Sequence, residues 1–144
     1  MLDLNDMPIE KNRFILDTNL WIHFLIKKDF SIIEELLNTD RFVLLFSSEL
    51  LSEFLEVAQR PKFHKYFSPS SIEHALEIIV DFSEFIHVTS EVDLCRDSKD
   101  NYLLELALDG NADYLITGDF DLLDLKNIGR TRIISISNFI KELA

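Results

Sequence analysis

The sequence predicts an α/β protein in which helices cover both faces of a central parallel sheet. Short apolar segments, typical of strands buried on both faces, alternate with longer segments of helical periodicity. This alternation is the pattern of parallel strands joined by crossover helices. Two of the apolar segments, residues 14–16 and 114–116, are followed by Asp17 and by Asp119. Because ligands of open parallel sheets bind beyond the carboxyl ends of the strands, both aspartates lie where chemistry is expected.

The chain has 144 residues, of which 47% are hydrophobic, so a single domain over residues 1–144 with an ordinary core is expected. Its one cysteine, Cys95, cannot form an internal disulfide, which fits a reducing cytoplasm. Residues 1–11 lack the apolar core of a signal peptide. No apolar run approaches the roughly 18 residues that span a bilayer. We therefore expect a cytoplasmic protein with no membrane partner.

The first part of the chain is predicted to contain two strands with two helices between them. Apolar residues indicate strands at positions 14–16 and 42–46, and helical periodicity covers positions 19–26 and 31–37. Residues 1–12, polar and acidic, are expected to form a loose lead-in.

Serine and proline residues predict where the next helices begin and end. Ser47 or Ser48 can cap the helix after the second strand, because a serine side chain accepts a hydrogen bond from an unpaired N–H of the first turn. That helix extends to about Gln59, since Pro61 prevents its continuation. The serine pair at positions 70 and 71 can cap a further helix.

The second half is predicted to contain three more strands. Apolar segments indicate strands at residues 85–88, 114–116 and 132–136. A helix that begins near Asp100 and stops at the Gly-Asn pair of positions 110–111 precedes the middle one. A short helix, capped by Ser137, closes the chain.

Acidic residues concentrate between Glu91 and Asp124. This segment carries ten acidic and two basic residues, and so supplies most of the net charge of −12. The acids bracket a predicted helix and strand instead of spreading as in a disordered tail. Asp100 falls where the helix begins, and Asp119 falls just past the strand. A strand's carboxyl end is a poor place for an unpaired acid, so Asp17 and Asp119 are candidate site residues.

Four other acids are candidates with ordinary structural alternatives. Glu53 lies beside the apolar face of its helix, and its spacing alone favours a solvent-facing side chain. Asp100 could equally serve as a helix N-cap. Asp97 and Asp121 lie in acidic loops, where aspartate is common.

The sequence lacks the residue patterns of histidine metal sites, of a cysteine nucleophile and of a phosphate-binding loop. The four histidines lie on different predicted elements without ligand spacing, Cys95 has no evident base, and three glycines cannot form a Gly-rich phosphate loop. The remaining candidates are carboxylates, and oxygen-only ligation selects Mg²⁺ or Mn²⁺. Such clusters serve phosphoryl chemistry. The negative charge argues against a general nucleic-acid binder, but not against an enzyme that holds nucleic acid through metal ions.

Three segments together resemble PIN-domain ribonucleases, most closely the toxins of bacterial toxin–antitoxin pairs. They are Phe-Ile-Leu-Asp-Thr-Asn at 14–19, Leu-Ser-Glu-Phe at 51–54 with Arg-Pro-Lys-Phe at 60–63, and the stretch 97–123 with Thr-Gly-Asp at 117–119. Each is weak alone, but together they span nearly the whole chain in the expected order.

The resemblance implies a three-layer PIN-like fold with strand order 3-2-1-4-5, so that the strands ending in Asp17 and Asp119 are neighbours. It also implies a quartet of acids that is catalytic and holds Mg²⁺ or Mn²⁺, namely Asp17, Glu53, Asp100 and Asp119. Supporting residues matched by position are Asn19, Thr117, Asp121 and, as the alternative to Asp100, Asp97.

The function implied by the resemblance is a metal-dependent endoribonuclease that hydrolyses RNA phosphodiester bonds. It further implies an RNA substrate, a small antitoxin protein as partner, and assembly as a homodimer or higher oligomer. The low isoelectric point departs from the pattern, since a ribonuclease needs some basic surface. The available cations are Lys27, Lys28, Arg60, Lys62 and Lys65.

Two other functions are weighed against this one. A catalytically inactive PIN-fold binding module is disfavoured by the intact acidic quartet. A receiver-like signalling domain also carries acids at strand ends, but needs a lysine after its last strand. The sequence there, at 134–137, is Ile-Ser-Ile-Ser.

Overall fold

The computed structural model of the protein describes residues 11–95 and 97–143. The lead-in predicted for residues 1–12 falls mostly outside the described residues, and Asn12 already belongs to the first strand. The described residues form a mostly parallel sheet flanked by helices, which confirms the predicted α/β class. In the first strand Phe14, Ile15 and Leu16 are all buried. Because successive strand residues point to opposite faces, this burial requires helices on both faces of the sheet.

The sheet has six strands in the order β3-β2-β1-β4-β6-β5. They are β1 (Asn12–Leu16), β2 (Phe42–Phe46), β3 (Ser83–Phe85), β4 (Tyr114–Ile116), β5 (Asn127–Ile128) and β6 (Thr131–Ile134). Every neighbouring pair is parallel except β5 and β6. The predicted order 3-2-1-4-5 is therefore found for the five parallel strands, with β6 as the fifth of them. The prediction lacked β5, a two-residue strand paired with β6 across a tight turn in which Gly129 has φ of 55°.

Seven helices are found in the described part of the chain. They are α1 (Thr18–Lys27), α2 (Ser31–Asn38), α3 (Ser48–Ala58), α4 (Pro69–Phe82), α5 (Asn101–Asp109), α6 (Phe120–Leu123) and α7 (Ile136–Leu143). Single 3-10 turns occur at Pro61–Phe63 and Ser98–Asp100. The last helix begins two residues earlier than predicted, and Ser135 rather than Ser137 accepts a hydrogen bond from the N–H of Asn138, at 3.2 Å.

Strand β3 was predicted two residues too late, at 85–88. Its partner β2 ends at Phe46, which lies opposite Phe85. The N–H of Ile86 makes one more hydrogen bond, to the carbonyl of Phe46 at 2.8 Å. Residues 87 and 88 have no strand beside them, so their apolar pattern continues beyond the end of the sheet.

An aromatic cluster ties the site-bearing helices to the sheet. The ring centroid of Trp21 on α1 lies 5.7 Å from that of Phe46 on β2 and 6.0 Å from that of Phe54 on α3. Trp21, Phe46 and Phe54 are all fully buried. This packing fixes the amino ends of α1 and α3 near the carboxyl edge of the sheet. Among the described residues, no helix has the length and apolar character to cross a membrane.

Candidate active site

Asp17 occupies the junction between β1 and α1. Only 6% of the residue is exposed. Its Oδ2 accepts a hydrogen bond from Oγ1 of Thr117 at 2.7 Å. Burial raises the pKa of Asp17, and the negative charge of Asp119 raises it further. The Thr117 hydroxyl and the backbone of Asn19 and Thr18 offset this in part.

Thr117 links the ends of the two neighbouring strands. Its side chain is fully buried, and its Oγ1 accepts a hydrogen bond from the N–H of Asp119 at 3.0 Å while donating to Asp17. Leu16 pairs with Ile116 in the parallel ladder, so the strands that precede Asp17 and Asp119 are adjacent, as predicted. Asp119 Oδ1 accepts a hydrogen bond from the N–H of Asp121 at 2.9 Å. That bond fixes the Asp119 carboxylate at the start of α6.

Asp100 approaches the same place from another element. It ends the 3-10 turn before α5, is half-buried, and makes no capping hydrogen bond to that helix. Burial raises the pKa of Asp100 to about 7, and a hydrogen bond to Asp119 and the negative charges of Asp119, Asp17 and Asp97 add to the rise. When two carboxyl groups are in contact, their charges repel, so one of them keeps its proton at a pH at which an isolated carboxyl group would be ionised.

Asp97, and not Asp100, acts as an N-cap, because it caps the 3-10 turn Ser98–Asp100. Its side chain is exposed and accepts a hydrogen bond from the N–H of Lys99 at 3.1 Å. Of the two acids in this segment, Asp100 is therefore the one whose carboxyl group meets Asp119.

Glu53 lies on the exposed face of α3. Ser47 caps this helix by accepting a hydrogen bond from the N–H of Leu50 at 3.1 Å. Glu53, Asp100 and Asp119 line one open cleft of about 800 Å³. Asn19 lines the cleft as well, whereas Asp17 and Asp121 do not contribute to its wall.

The cleft is strongly acidic. Its lining contains six carboxylates, namely Glu49, Glu53, Glu56, Asp97, Asp100 and Asp119. Lys99 is the single basic residue in this lining among the residues that the structure describes. A phosphate group entering the cleft would meet net negative charge unless a cation accompanied it.

The sequence analysis did not name as site residues five polar residues of this lining, Ser48, Glu49, Ser52, Glu56 and Lys99. The spacing of Glu49, Ser52, Glu53 and Glu56 is that of one helix face, so the helical period could have revealed them. Tyr102 was also missed. Its hydroxyl lies 3.3 Å from Oγ1 of Thr18, and burial and the charges of Asp17, Glu53 and Asp100 raise its pKa.

Comparison with known proteins decides the family. Residues 13–121 match the family model of the PIN domain. The chain belongs to the PIN-domain family. The likeness of its sequence to that family is therefore confirmed over most of its length.

A solved structure shows the same fold. The chain is similar to one in the crystal structure of VapBC2 from Rickettsia felis bound to a DNA fragment from their promoter. The TM-score is 0.54, with 84% of this chain and 96% of that chain covered and 18% of residues identical. At that identity the likeness concerns the fold alone. No curated protein matches the chain by sequence.

The acids of this PIN domain suit a hard divalent cation by their chemistry. In residues 11–95 and 97–143 no group of three His, Cys, Asp or Glu side chains is arranged to hold a metal ion directly. The contact between Asp100 and Asp119 nevertheless needs a proton or a cation between two carboxylates. Carboxylate oxygens are the ligands that Mg²⁺ and Mn²⁺ prefer. The donor set therefore fits such an ion by its chemistry, and Asp100 and Asp119 are the two acids in contact.

Cys95 does not offer a competing nucleophile. It is buried, and its N–H donates to Oδ1 of Asn101 at 3.0 Å. Burial and the charges of Asp100, Asp119 and Asp121 raise the pKa of its thiol. A thiol held in its protonated form is a poor nucleophile.

Proposed function

We propose that this PIN domain is a metal-dependent endoribonuclease that hydrolyses RNA phosphodiester bonds. The observation that carries the proposal is the approach of Asp17, Asp100 and Asp119 at the carboxyl ends of the neighbouring strands β1 and β4. Carboxylates brought together in this way raise each other's pKa, and a divalent cation relieves that repulsion. Asp17, Glu53, Asp100 and Asp119 are the residues that would hold Mg²⁺ or Mn²⁺. When bound, such an ion supplies Lewis acidity and a water molecule of lowered pKa.

The residues around the acids have separate roles in this proposal. Thr117 orients Asp17 and the backbone of Asp119 through its two hydrogen bonds. Burial and the neighbouring acids raise the pKa of Asp100 to about 7, and a bound cation would favour release of its proton. Asn19 at the edge of the cleft can donate its amide hydrogens to a phosphate oxygen. Each of these is a positioning or proton-holding role, and no side chain forms a covalent bond to the substrate.

Cleavage of a labelled single-stranded RNA in Mn²⁺ tests the proposal. Asp119→Asn is expected to lower the rate at least about 100-fold, because one charge of the metal site is lost. Asp40→Asn is the matched control. Asp40 is exposed in the turn before β2, at the opposite edge of the sheet, and has a φ of 58° that asparagine tolerates. Equal cleavage by both variants would contradict a role for Asp119 in the reaction. RNA binding without cleavage by the parent would favour the inactive binding module.

We further propose that the chain is the toxin of a toxin–antitoxin pair. The resemblance of its sequence to such toxins supports this, as does the likeness of its fold to a chain of VapBC2. The acidic cleft, with six carboxylates and one lysine, suits a basic or amphipathic segment of a small partner protein. A homodimer or higher oligomer remains a prediction that light scattering would test.

Co-expression with the product of a small neighbouring gene tests the partner. The two proteins are expected to co-purify, and the partner is expected to relieve growth inhibition and block RNA cleavage. No growth inhibition by the chain alone, together with no binding to that product, would contradict the toxin role and leave the ribonuclease proposal standing.

A further inference from the structure

Phe120 is the most exposed large apolar side chain in the described part of the chain. It is 77% exposed, and it lies between two acids of the site, Asp119 and Asp121. The fold does not use it for packing, because Leu122 is the buried residue that anchors the short helix α6. An aromatic ring is thus held in solvent directly beside the proposed reaction centre.

A second cavity adjoins the acidic cleft at this ring. It has a volume of about 690 Å³, and Phe120 contributes to its wall. The consecutive residues Asp119 and Phe120 line the cleft and the second cavity, respectively. Ile134 lines this cavity too, and its carbonyl accepts a hydrogen bond from the N–H of Thr117 at 3.0 Å. The second cavity therefore opens at the carboxyl edge of the sheet, next to the acids.

The chemistry of the second cavity differs from that of the cleft. Leu123 and Ile134 provide apolar surface, and Ser135 and Asn138 provide donors and acceptors. Lys141 supplies a positive charge from the last turn of α7. Arg132 and Glu142 also line this cavity and pair with each other through two hydrogen bonds of 2.8 and 2.7 Å, which leaves Lys141 as the unbalanced charge of the lining. An aromatic face, apolar walls, polar groups and a lysine are what a nucleobase and its phosphate require.

We propose that Phe120 and this second cavity bind a nucleobase of single-stranded RNA beside the acidic cleft. The proposal rests on the proposed ribonuclease function and names a subsite for that substrate. Stacking on an exposed ring needs a free base face, which a strand in a duplex does not offer. Phe120 should therefore act as a substrate-binding residue that favours single-stranded over double-stranded RNA.

Steady-state cleavage of a single-stranded oligoribonucleotide by Phe120 variants tests the subsite. Phe120→Ala is expected to raise KM about 5- to 160-fold, the usual effect of losing one base stacked on an aromatic ring, with little change in kcat. Phe120→Trp retains a stacking surface and should keep the KM of the parent. Because Phe120 is exposed, neither variant should change the melting temperature by more than a degree or two. The same RNA in a duplex should be cleaved poorly, and equally by all three proteins.

Phe82→Ala is the matched control. Phe82 is 48% exposed and ends α4, beside the edge strand β3 and on the other side of β1 from Phe120. Its loss should leave kcat and KM as they are in the parent. If Phe82→Ala and Phe120→Ala raised KM by the same factor, the effect would come from the loss of any exposed aromatic ring, and the proposal would be overturned.

The remaining outcomes separate this proposal from the one it rests on. If the parent cleaves RNA and Phe120→Ala has the same kcat and KM, the subsite is wrong and the ribonuclease function stands. If neither protein cleaves RNA, both proposals fail. If Phe120→Ala cleaves normally but no longer binds the co-purifying partner, Phe120 belongs to a protein interface and the subsite is overturned.

Discussion

The buried hydroxyl group of Thr117 links Asp17 to the backbone of Asp119. Thr117 Oγ1 donates to Asp17 and accepts from the backbone of Asp119, so it pairs with a buried carboxylate oxygen and with a part-buried N–H group. A buried polar group without a partner typically costs about 1–3 kcal/mol. The same bonds define where the two carboxylates point. Thr117 therefore joins stability and site geometry in one residue.

Replacing Thr117 with valine should separate these two contributions. The methyl group that replaces the hydroxyl keeps the shape but leaves Asp17 Oδ2 and the N–H of Asp119 unpaired. We expect a loss of about 1–3 kcal/mol in the free energy of unfolding, together with at least a tenfold loss of RNA cleavage. Thr117→Ser should retain both. Urea denaturation and cleavage assays measure the two effects.

Thr131 supplies the control for this substitution. It is equally buried, and its Oγ1 donates to the carbonyl of Ala112 at 2.7 Å, at the amino end of β6. Thr131→Val should lower stability by a similar amount without reducing cleavage. If Thr131→Val and Thr117→Val lose the same fraction of activity, Thr117 is only a structural residue.

The raised pKa of Asp100 predicts how stability varies with pH. The folded state holds the Asp100 proton up to about pH 7, whereas the unfolded state releases it near 3.8. Between these values the folded state binds more protons, so stability falls as pH rises. In chelator, Asp100→Asn should therefore become more stable relative to the parent by several degrees in melting temperature between pH 5 and pH 8. A difference that does not vary with pH would mean that Asp100 titrates normally.

Which site residues could be predicted from sequence depended on how local their determinants are. Asp17 and Asp119 follow buried strands directly, so local pattern indicated the edge at which they lie. The choice between Asp97 and Asp100 was open, because both lie at a helix start and only the approach to Asp119 separates them. Phe120 gave no sequence signal, since its exposure follows from how α6 packs. Both the choice of Asp100 and the exposure of Phe120 depend on contacts between segments that are distant in the sequence.

At the scale of elements, Ser47 connects strand β2 to the helix that carries Glu53. Its side chain is buried and caps α3, while Ser48, the other candidate cap in the sequence, is exposed within the helix. Ser47→Ala should cost about 0.5–2 kcal/mol, or roughly 2–6 °C in melting temperature. Ser48→Ala should change it by less than a degree. A larger effect at Ser48 would show that the helix is capped otherwise.

The strands that sequence analysis misplaced or missed are those whose limits are set by a partner strand. Strand β3 ends where β2 ends, and β5 exists because the chain folds back on β6. A strand of two or three residues has too little periodicity to be recognised alone. Longer elements such as α1, β2 and α3 carry their own pattern and were predicted within a residue or two. The order of the parallel strands was predicted from the family resemblance and not from the periodicity of the sequence.

At the scale of the whole molecule, the distribution of charge favours occupancy of the cleft by cations. The net charge is −12, and among the described residues the lining of the cleft contains six carboxylates and one lysine. Like charges held together in the folded state lower its stability, and dissolved salt screens them. In chelator, raising NaCl from about 10 to 300 mM should raise the melting temperature. A flat response would indicate that the acids do not repel one another appreciably.

Specific metal binding should exceed this screening and depend on Asp17. At equal ionic strength Mn²⁺ should raise the melting temperature further, and the rise should grow with the logarithm of its concentration, because a ligand that binds only the folded state stabilises it by mass action. Asp17→Asn removes one buried charge but can still hydrogen-bond to Thr117 Oγ1, which is able to accept as well as donate. The variant should match or exceed the parent's stability in chelator, keep the response to NaCl, and lose much of the response to Mn²⁺. An Asp17→Asn variant that melts several degrees lower in chelator yet keeps the parent's Mn²⁺ shift would instead make Asp17 part of the scaffold. The cation would then have to be held by Asp100 and Asp119 without it.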